Sequence, residues 1–317
     1  MLKLVFTRIL AAVPLLLLVA FLSFVLLELA NRGTDPAARI AGEGATAEQI
    51  EMVRQNLNLD SPMIVRYVDW VVNAVTGDLG TSLYSGQPVT EALMERIWPT
   101  ASLALWAIVL TIIIGIPLGV WAAVRQGSIV DRFVTTLASL LMSVPPFVLG
   151  LVLVITFAIT RAWLPATGYV SLAEGGFVEW ARHLILPGMA LAAVSAAEMA
   201  RQTRGSIVDT LSKDYVRTAR SKGLSDQSVL WKHTMKNSAV SIVTVLGLQM
   251  GRILGGAVTV EFVFAISGLG MLGYTAVIQR DLPMVQGVVI VSAIVVLLCN
   301  LLVDMSYGYL NPKMRTQ

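Results

Sequence analysis

The side chains of this chain best placed to do chemistry are cations, and they fall in two places. Between two apolar runs lies Lys213–Lys236, KDYVRTARSKGLSDQSVLWKHTMK, in which Lys213, Arg217 and Arg220 recur at i, i+4 and i+7. That spacing gathers them on one helix face, suited to an acidic partner or to anionic lipid headgroups. The second place is Arg252, isolated in an apolar run 14 residues beyond Ser238, about 21 Å along a helix at ~1.5 Å per residue. A charge at that depth costs at least a few kcal/mol unless it meets water or a partner. Arg252 is therefore expected to face a polar path, with bonding to carbonyls as the structural rival. Asp304 sits at the wrong depth to pair with it, and Glu28 and Glu198 lie toward the ends of their runs.

Other chemistry is excluded by pattern. No phosphate-binding G-x-x-x-x-G-K-[ST] occurs, so ATP hydrolysis is not expected of this chain, and no H-E-x-x-H or G-x-S-x-G supports an intramembrane enzyme. His183 and His233 fall on opposite sides of the membrane in the topology below, and Cys299 is the single cysteine, so neither a metal site nor a disulfide is expected. The net charge of +3, with no basic patch interleaved with aromatics, argues against nucleic acid.

The elements that position these residues are membrane spans. The chain is 56% hydrophobic and 14% charged, with mean hydropathy +0.74, against about a quarter charged in soluble domains. Ile9–Ala30 is long enough to cross a ~30 Å hydrocarbon core and longer than the h-region of a cleaved signal peptide. Five further apolar runs follow, at Ser102–Val124, Val134–Ile159, Leu184–Ala200, Ser238–Val260 and Val285–Val303. Lys and Arg concentrate between spans two and three, between four and five, and after six. The positive-inside bias then makes both termini and Lys213–Lys236 cytoplasmic. The expected fold is an all-α polytopic membrane protein of six spans. Its segments are a first span at 1–30, a small helical, acid-rich extracytoplasmic domain at 31–98, a core at 99–310 with a cytoplasmic loop at 201–237, and a tail at 311–317.

Local signals refine these elements. Thr46, followed by Glu48-Gln49, caps an amphipathic helix; Ile64–Val75 reads as a second; Gly77-Asp78-Leu79-Gly80 reads as a turn. Gly223 suits a helix C′ position and Ser225 an N-cap, which predicts two short helices meeting at a bend, the first packing through Val208, Leu211 and Tyr215. Gly247, Gly251 and Gly255 recur every four residues and permit close helix packing, either static or at a moving interface. The fourth run, rich in alanine and holding Pro187, suits a helix packed among others.

Asp214–Leu224, DYVRTARSKGL, resembles the EAA loop of the permease subunits of bacterial ABC importers for dipeptides, oligopeptides and nickel. Arg217, Thr218 and Ala219 stand in the E-A-A positions and Gly223 four residues beyond. Further matches are Ala45-Thr46, Gly77–Ser82, Pro88-Val89, Val144-Pro145, Leu186-Pro187, Val260–Phe264 and Arg280–Gly287, so the similarity spans nearly the whole chain. It is to the member of the family with a large external domain after its first span. The departures are Lys236 and Ser241, near places where a proline often closes the loop region, and Ser267, where proline usually precedes Gly268-Leu269-Gly270.

The resemblance implies a subunit in the bacterial cytoplasmic membrane, pairing with a second homologous permease, two ATP-binding subunits that hold ATP and Mg, and an extracytoplasmic substrate-binding protein. No cofactor is implied in this chain. It assigns ATPase coupling to Arg217, Thr218, Ala219, Lys222, Gly223, Leu224, Ser225, Trp231 and His233, with a short helix at Asp226–Lys236 seated on the ATPase. Arg252, Glu261, Phe262 and Phe264 become candidates for the path or gate. The substrate class is peptides, with nickel and glutathione as alternatives. Taken without the resemblance, the residues also admit a self-contained secondary transporter or channel, or a membrane receptor.

Overall fold

The computed structural model describes residues 2–30, 35–42, 44–56 and 59–310, so the expected tail at 311–317 lies outside the described residues. Apart from an isolated bridge between Thr81 and Pro88, its regular structure is helical. The helices are α1 (Leu2–Ala30), α2 (Pro36–Ala41), α3 (Ala47–Asn56) and α4 (Met63–Val75), then α5 (Val89–Leu110), which continues through a π turn at Thr111–Gly115 into α6 (Ile116–Val124). Next come α7 (Ile129–Ser143) and α8 (Pro146–Leu153), the latter extended by a π segment at Val154–Ile159, and then α9 (Leu172–Leu211) and α10 (Asp214–Ser221). α11 (Asp226–Ser228) runs through a π segment at Val229–Met235 into α12 (Lys236–Val263), and α13 (Leu269–Gln279) and α14 (Leu282–Leu310) complete the chain.

Five stretches among the described residues are long and apolar enough to cross a membrane: Phe6–Leu26, Val89–Val124, Leu172–Leu211, Asp226–Val263 and Leu282–Leu302. A sixth is added if α7 and α8 count as one span, but they are bent by 103°. The span expected over Val134–Ile159 is thus bent at a break, and the cause is Val144-Pro145-Pro146. A residue preceding proline is steered out of the helical region, and here two do so in succession: Val144 takes ψ 124° and Pro145 ψ 141°.

Backbone contacts divide the chain into two compact units, one of residues 1–6, 99–267 and 296–317, the other of residues 7–98 and 268–295. In this division residues 7–30 of α1 and residues 268–295 group with the segment at 31–98. The short apolar α13 within that group was not anticipated.

In the first unit α9 is the axis, and its alanine-rich stretch is buried on most sides, as the composition of that run leads one to expect. Small residues set the close approaches. A Cβ on Gly119 would stand 2.5 Å from the Ala200 carbonyl oxygen, one on Gly115 2.8 Å from that of Ala196, and one on Gly188 2.3 Å from the Trp106 ring. Trp106 in turn meets Trp180 edge to face at 5.4 Å. Asp131, at the start of α7, accepts from Arg204 on α9 through two bonds, one of 2.7 Å to Oδ2, and also accepts from the Gly127 amide. This charge-assisted clasp fixes the entry of α7 against the far end of α9.

In the second unit, the Thr46 cap is present with Gln49 as its partner: each backbone amide donates to the other's side chain. Asp35 accepts from Arg54 at 2.6 Å and holds that guanidinium above its ordinary range, chiefly by charge attraction. Two of the quoted motif segments meet here. Asp281, buried at 2% exposure, accepts from the Ser82 hydroxyl and from the Leu83 amide at 3.1 Å. Gly287 lets the backbones close, since a Cβ there would lie 2.4 Å from Val89 Cγ1.

Candidate functional site

The basic element is built around a glycine turn. α10 ends at Ser221, and Gly223 adopts φ +78°, a left-handed conformation open to glycine and costly for other L residues. The Gly223 amide donates to the Arg220 carbonyl at 2.9 Å and the Leu224 amide to that of Ala219 at 3.4 Å, the bond pair of a Schellman motif. Ser225 then caps the next helix by accepting from the Ser228 amide. The two helices expected at Gly223 are present, with two corrections.

The first concerns the packing face. Val208 and Leu211 belong to α9, which ends at Leu211, while Tyr215 sits on α10 and is exposed, so the three do not form one face. The bend is held instead by Val216, Ala219 and Val229 with Leu211. The second concerns length. The helix expected to stop near Lys236 does not stop, because neither Lys236 nor Ser241 is a proline. Asp226–Val263 runs as one 38-residue helix, its only irregularity being the π segment. Struts tie it to its neighbours: the Asn237 side-chain amide donates to Tyr215 Oη at 2.9 Å and to the His233 carbonyl at 2.8 Å, and the Ser238 hydroxyl donates to the Ser206 carbonyl at 3.2 Å.

The expected coupling residues separate by exposure. Arg217, Thr218, Lys222, Leu224 and Trp231 are exposed around the bend, Trp231 at 60%, while Ala219 is a core contact and His233 is half-buried. Arg217 pairs loosely with Asp214 at 3.8 Å, and Arg220 reaches across the bend to Asp226 at 3.6 Å. Both are exposed pairs that contribute little and leave the cations accessible.

Arg252 has a partner that sequence reasoning missed. It donates through Nη1 to Glu198 on α9. Glu198 was placed near a span end because the run ending at Ala200 looked complete, whereas α9 continues for 11 residues to Leu211. Arg252 also lines a cavity of about 280 Å³ at the α7–α8 break, together with Ser143, Pro145, Ser195, Gln249 and Gly256. The Ser195 hydroxyl donates to Gln249 Oε1 at 3.2 Å in its wall.

The other expected path residues do not line this cavity. Glu261 is fully buried and accepts from the Thr100 hydroxyl at 2.5 Å. Phe264 is 1% exposed, with its ring edge against Gly150. Both are core contacts because α12 ends beside them, and of Glu261, Phe262 and Phe264 only Phe262 is exposed. Of the glycine row, Gly247 is buried, while Gly251 and Gly255 have no neighbour within 4 Å of a built Cβ. Helix packing by this row is thus not formed at those two positions within the chain; Gly256 makes the close contact, to Leu191.

Comparison with known proteins gives a consistent picture. The family described as binding-protein-dependent transport system inner membrane component matches residues 115–316, and its N-terminal membrane component matches residues 1–104. A putative peptide transport system permease protein of Brucella abortus is 42% identical over 315 residues, covering 99% of both chains. The glutathione transport system permease protein GsiC of Escherichia coli O6:H1 is 41% identical over 315 residues, again covering 99% of both. In fold, the chain is similar to the methionine ABC transporter MetNI in an inward-facing form, with TM-score 0.57 and 18% identity, over 69% of this chain and 96% of that one.

Proposed function

Because the chain belongs to the binding-protein-dependent transport system inner membrane components, we propose that it is the membrane-spanning subunit of an ATP-driven importer of small peptides. Relatives named for peptide and glutathione transport, alike over 99% of their length, support a peptide-class substrate. Its location is the cytoplasmic membrane. Six spans, with α7 and α8 counted as one, and cytoplasmic termini agree with the placement of Lys and Arg. The partners are a second permease, two ATP-binding subunits that carry ATP and Mg, and an extracytoplasmic binding protein.

The observation that carries the coupling role is the bend at Gly223 joined to an unbroken helix. Exposed Arg217, Leu224 and Trp231 offer a partner both charge and apolar area, and a push received there enters Asp226–Val263 with no flexible joint to absorb it. Arg252 with Glu198, at the cavity beside the α7–α8 break, is the polar part of the path. The experiment is reconstitution. Peptide uptake into proteoliposomes should require ATP, both permeases, the ATPases and the binding protein. Flux through this chain alone, driven only by an ion gradient, would identify a secondary transporter or channel instead.

A further inference from the structure

Helix α4 belongs to the segment that its acidic composition places outside the bilayer, yet its surface is not that of a water-facing helix. Ile64, Val65, Val68, Val72 and Val75 fall within an arc of ~100° at 3.6 residues per turn. All five are exposed, from 44% at Val65 to 83% at Val75. Asp69 and Asn73, also exposed, lie beyond one edge of this arc.

The opposite side of α4 rests on α1. Tyr67 Oη donates to the Leu17 carbonyl at 2.8 Å, and the Tyr67 ring meets Phe21 and Phe24 edge-on at 5.3 and 6.0 Å. Arg66 stacks over Phe24 at 5.5 Å and pairs with Glu28 at 3.3 Å. These contacts fix a depth. The first charged residue beyond the apolar run of α1 is Glu28, and Phe24, Phe21 and Leu17 precede it by four, seven and eleven residues, or roughly 6 to 17 Å at 1.5 Å per residue. An amphipathic helix lying in a membrane interface sinks its apolar face about 5–10 Å. α4 therefore crosses α1 inside the hydrocarbon boundary.

We infer that α4 is an interfacial helix whose stripe Ile64-Val65-Val68-Val72-Val75 is covered by lipid acyl chains, in the leaflet that holds the C-terminal end of α1. The inference requires α1 to span the membrane and is independent of which solute is carried. Two observations favour lipid over a protein partner. The stripe is wholly aliphatic, without the Tyr, Trp, Arg or Met that enrich protein interfaces. On α1, the helix that α4 packs against, Leu18, Leu22 and Leu26 are exposed in the same manner. Arg66, meanwhile, keeps its charge at the polar edge through Glu28. The bilayer thus grips the external segment directly, beyond what α1 and α5 provide.

Site-directed spin labelling tests this in the assembled complex, in liposomes and with Cys299→Ser as background. Val65→Cys, Val68→Cys, Val72→Cys and Val75→Cys should collide with oxygen in preference to a water-soluble nickel chelate, and Asp69→Cys and Asn73→Cys should show the reverse. Nickel-dominated collisions at 68 and 72 would place the stripe in water and overturn the inference. Weak collisions with both reagents and an immobilised spectrum at those positions, with or without added binding protein, would mean a protein covers it and overturn it equally. Val72→Trp gives an independent readout: acyl-brominated lipids should quench its fluorescence, and unchanged fluorescence would count against lipid contact.

Discussion

Gly223→Val tests the coupling element at its weakest point. The residue adopts φ +78°, and a built Cβ meets nothing within 4 Å, so the substitution creates no clash and its cost lies in the backbone. An L residue held left-handed costs about 1–2 kcal/mol, and a β-branched one stands toward the upper end of that range or beyond it. One or two kcal/mol corresponds to a factor of roughly 5–30 in a conformational equilibrium. The bent geometry, held by two turn bonds and the small Val216–Ala219–Val229 core, loses that much of its advantage over straightened forms. Purified complexes in proteoliposomes should therefore hydrolyse ATP but accumulate little peptide with Gly223→Val, and show an intermediate uptake-to-hydrolysis ratio with Gly223→Ala. Gly223→Asn should remain coupled, because Asn tolerates the left-handed region. All three should copurify with the ATPase. Normal coupling in Gly223→Val would refute the reasoning, and so would equal losses in the Asn and Val variants, which would point to side-chain size instead of backbone conformation.

Four further outcomes are expected. Arg252→Ala and Glu198→Ala should each reduce uptake, and the double variant should not recover it, whereas recovery in this cycle would reduce the pair to a structural contact. With Arg252 61% exposed, the stability change in each should stay within about 1 kcal/mol, as read from the melting temperature of the complex. Gly119→Ala should lower that temperature through an overpacking cost of about 1–3 kcal/mol, since its Cβ would press on the Ala200 carbonyl. Gly251→Ala, facing open space, should leave it unchanged or raise it by helix propensity, worth up to about 1 kcal/mol. Asp281→Ala should speed proteolysis within residues 77–88, because the Ser82 hydroxyl and Leu83 amide lose their acceptor at about 1–3 kcal/mol per orphaned group.

What could be read from the sequence was what local chemistry decides. Gly223 and Ser225 specify a C′ turn and an N-cap wherever they occur, so the bend was legible, as was the Thr46 cap. The alanine-rich run announced a helix packed among others because small side chains leave little for lipid to contact. Depth and pairing were harder to read. The Arg252–Glu198 contact depends on how far α9 extends past its apolar run, and nothing in that run marks the extension through Leu211. Pro145-Pro146 was visible as a pair, but hydropathy averages over it and so hid a 103° break. The burial of Glu261 and Phe264 depends on Thr100 and Gly150, partners 161 and 114 residues away. The apolar arc of α4 was present in its spacing, yet the acidic residues around it concealed its closeness to the membrane.

The prolines that are present and those that are absent give this subunit its mechanical character. At Val144-Pro145-Pro146 consecutive prolines break a span and leave a cavity beside the break. At Lys236 and Ser241 non-proline residues let the helix pass from Asp226 to Val263 without a joint. The two meet at one place, since the cavity is walled by Ser143, Val144, Pro145 and Pro146 on one side and by Gln249, Arg252 and Ile253 of α12 on the other. The clasp between Asp131 and Arg204 anchors the α7 side of that wall to α9. On the proposed coupling role, a displacement applied at the Gly223 bend would enter α12 and reach the part of the cavity lined by Gln249, Arg252 and Ile253. Because Arg252 is bonded to Glu198 of α9, that proposed movement would act on this polar pair where α12 passes the break.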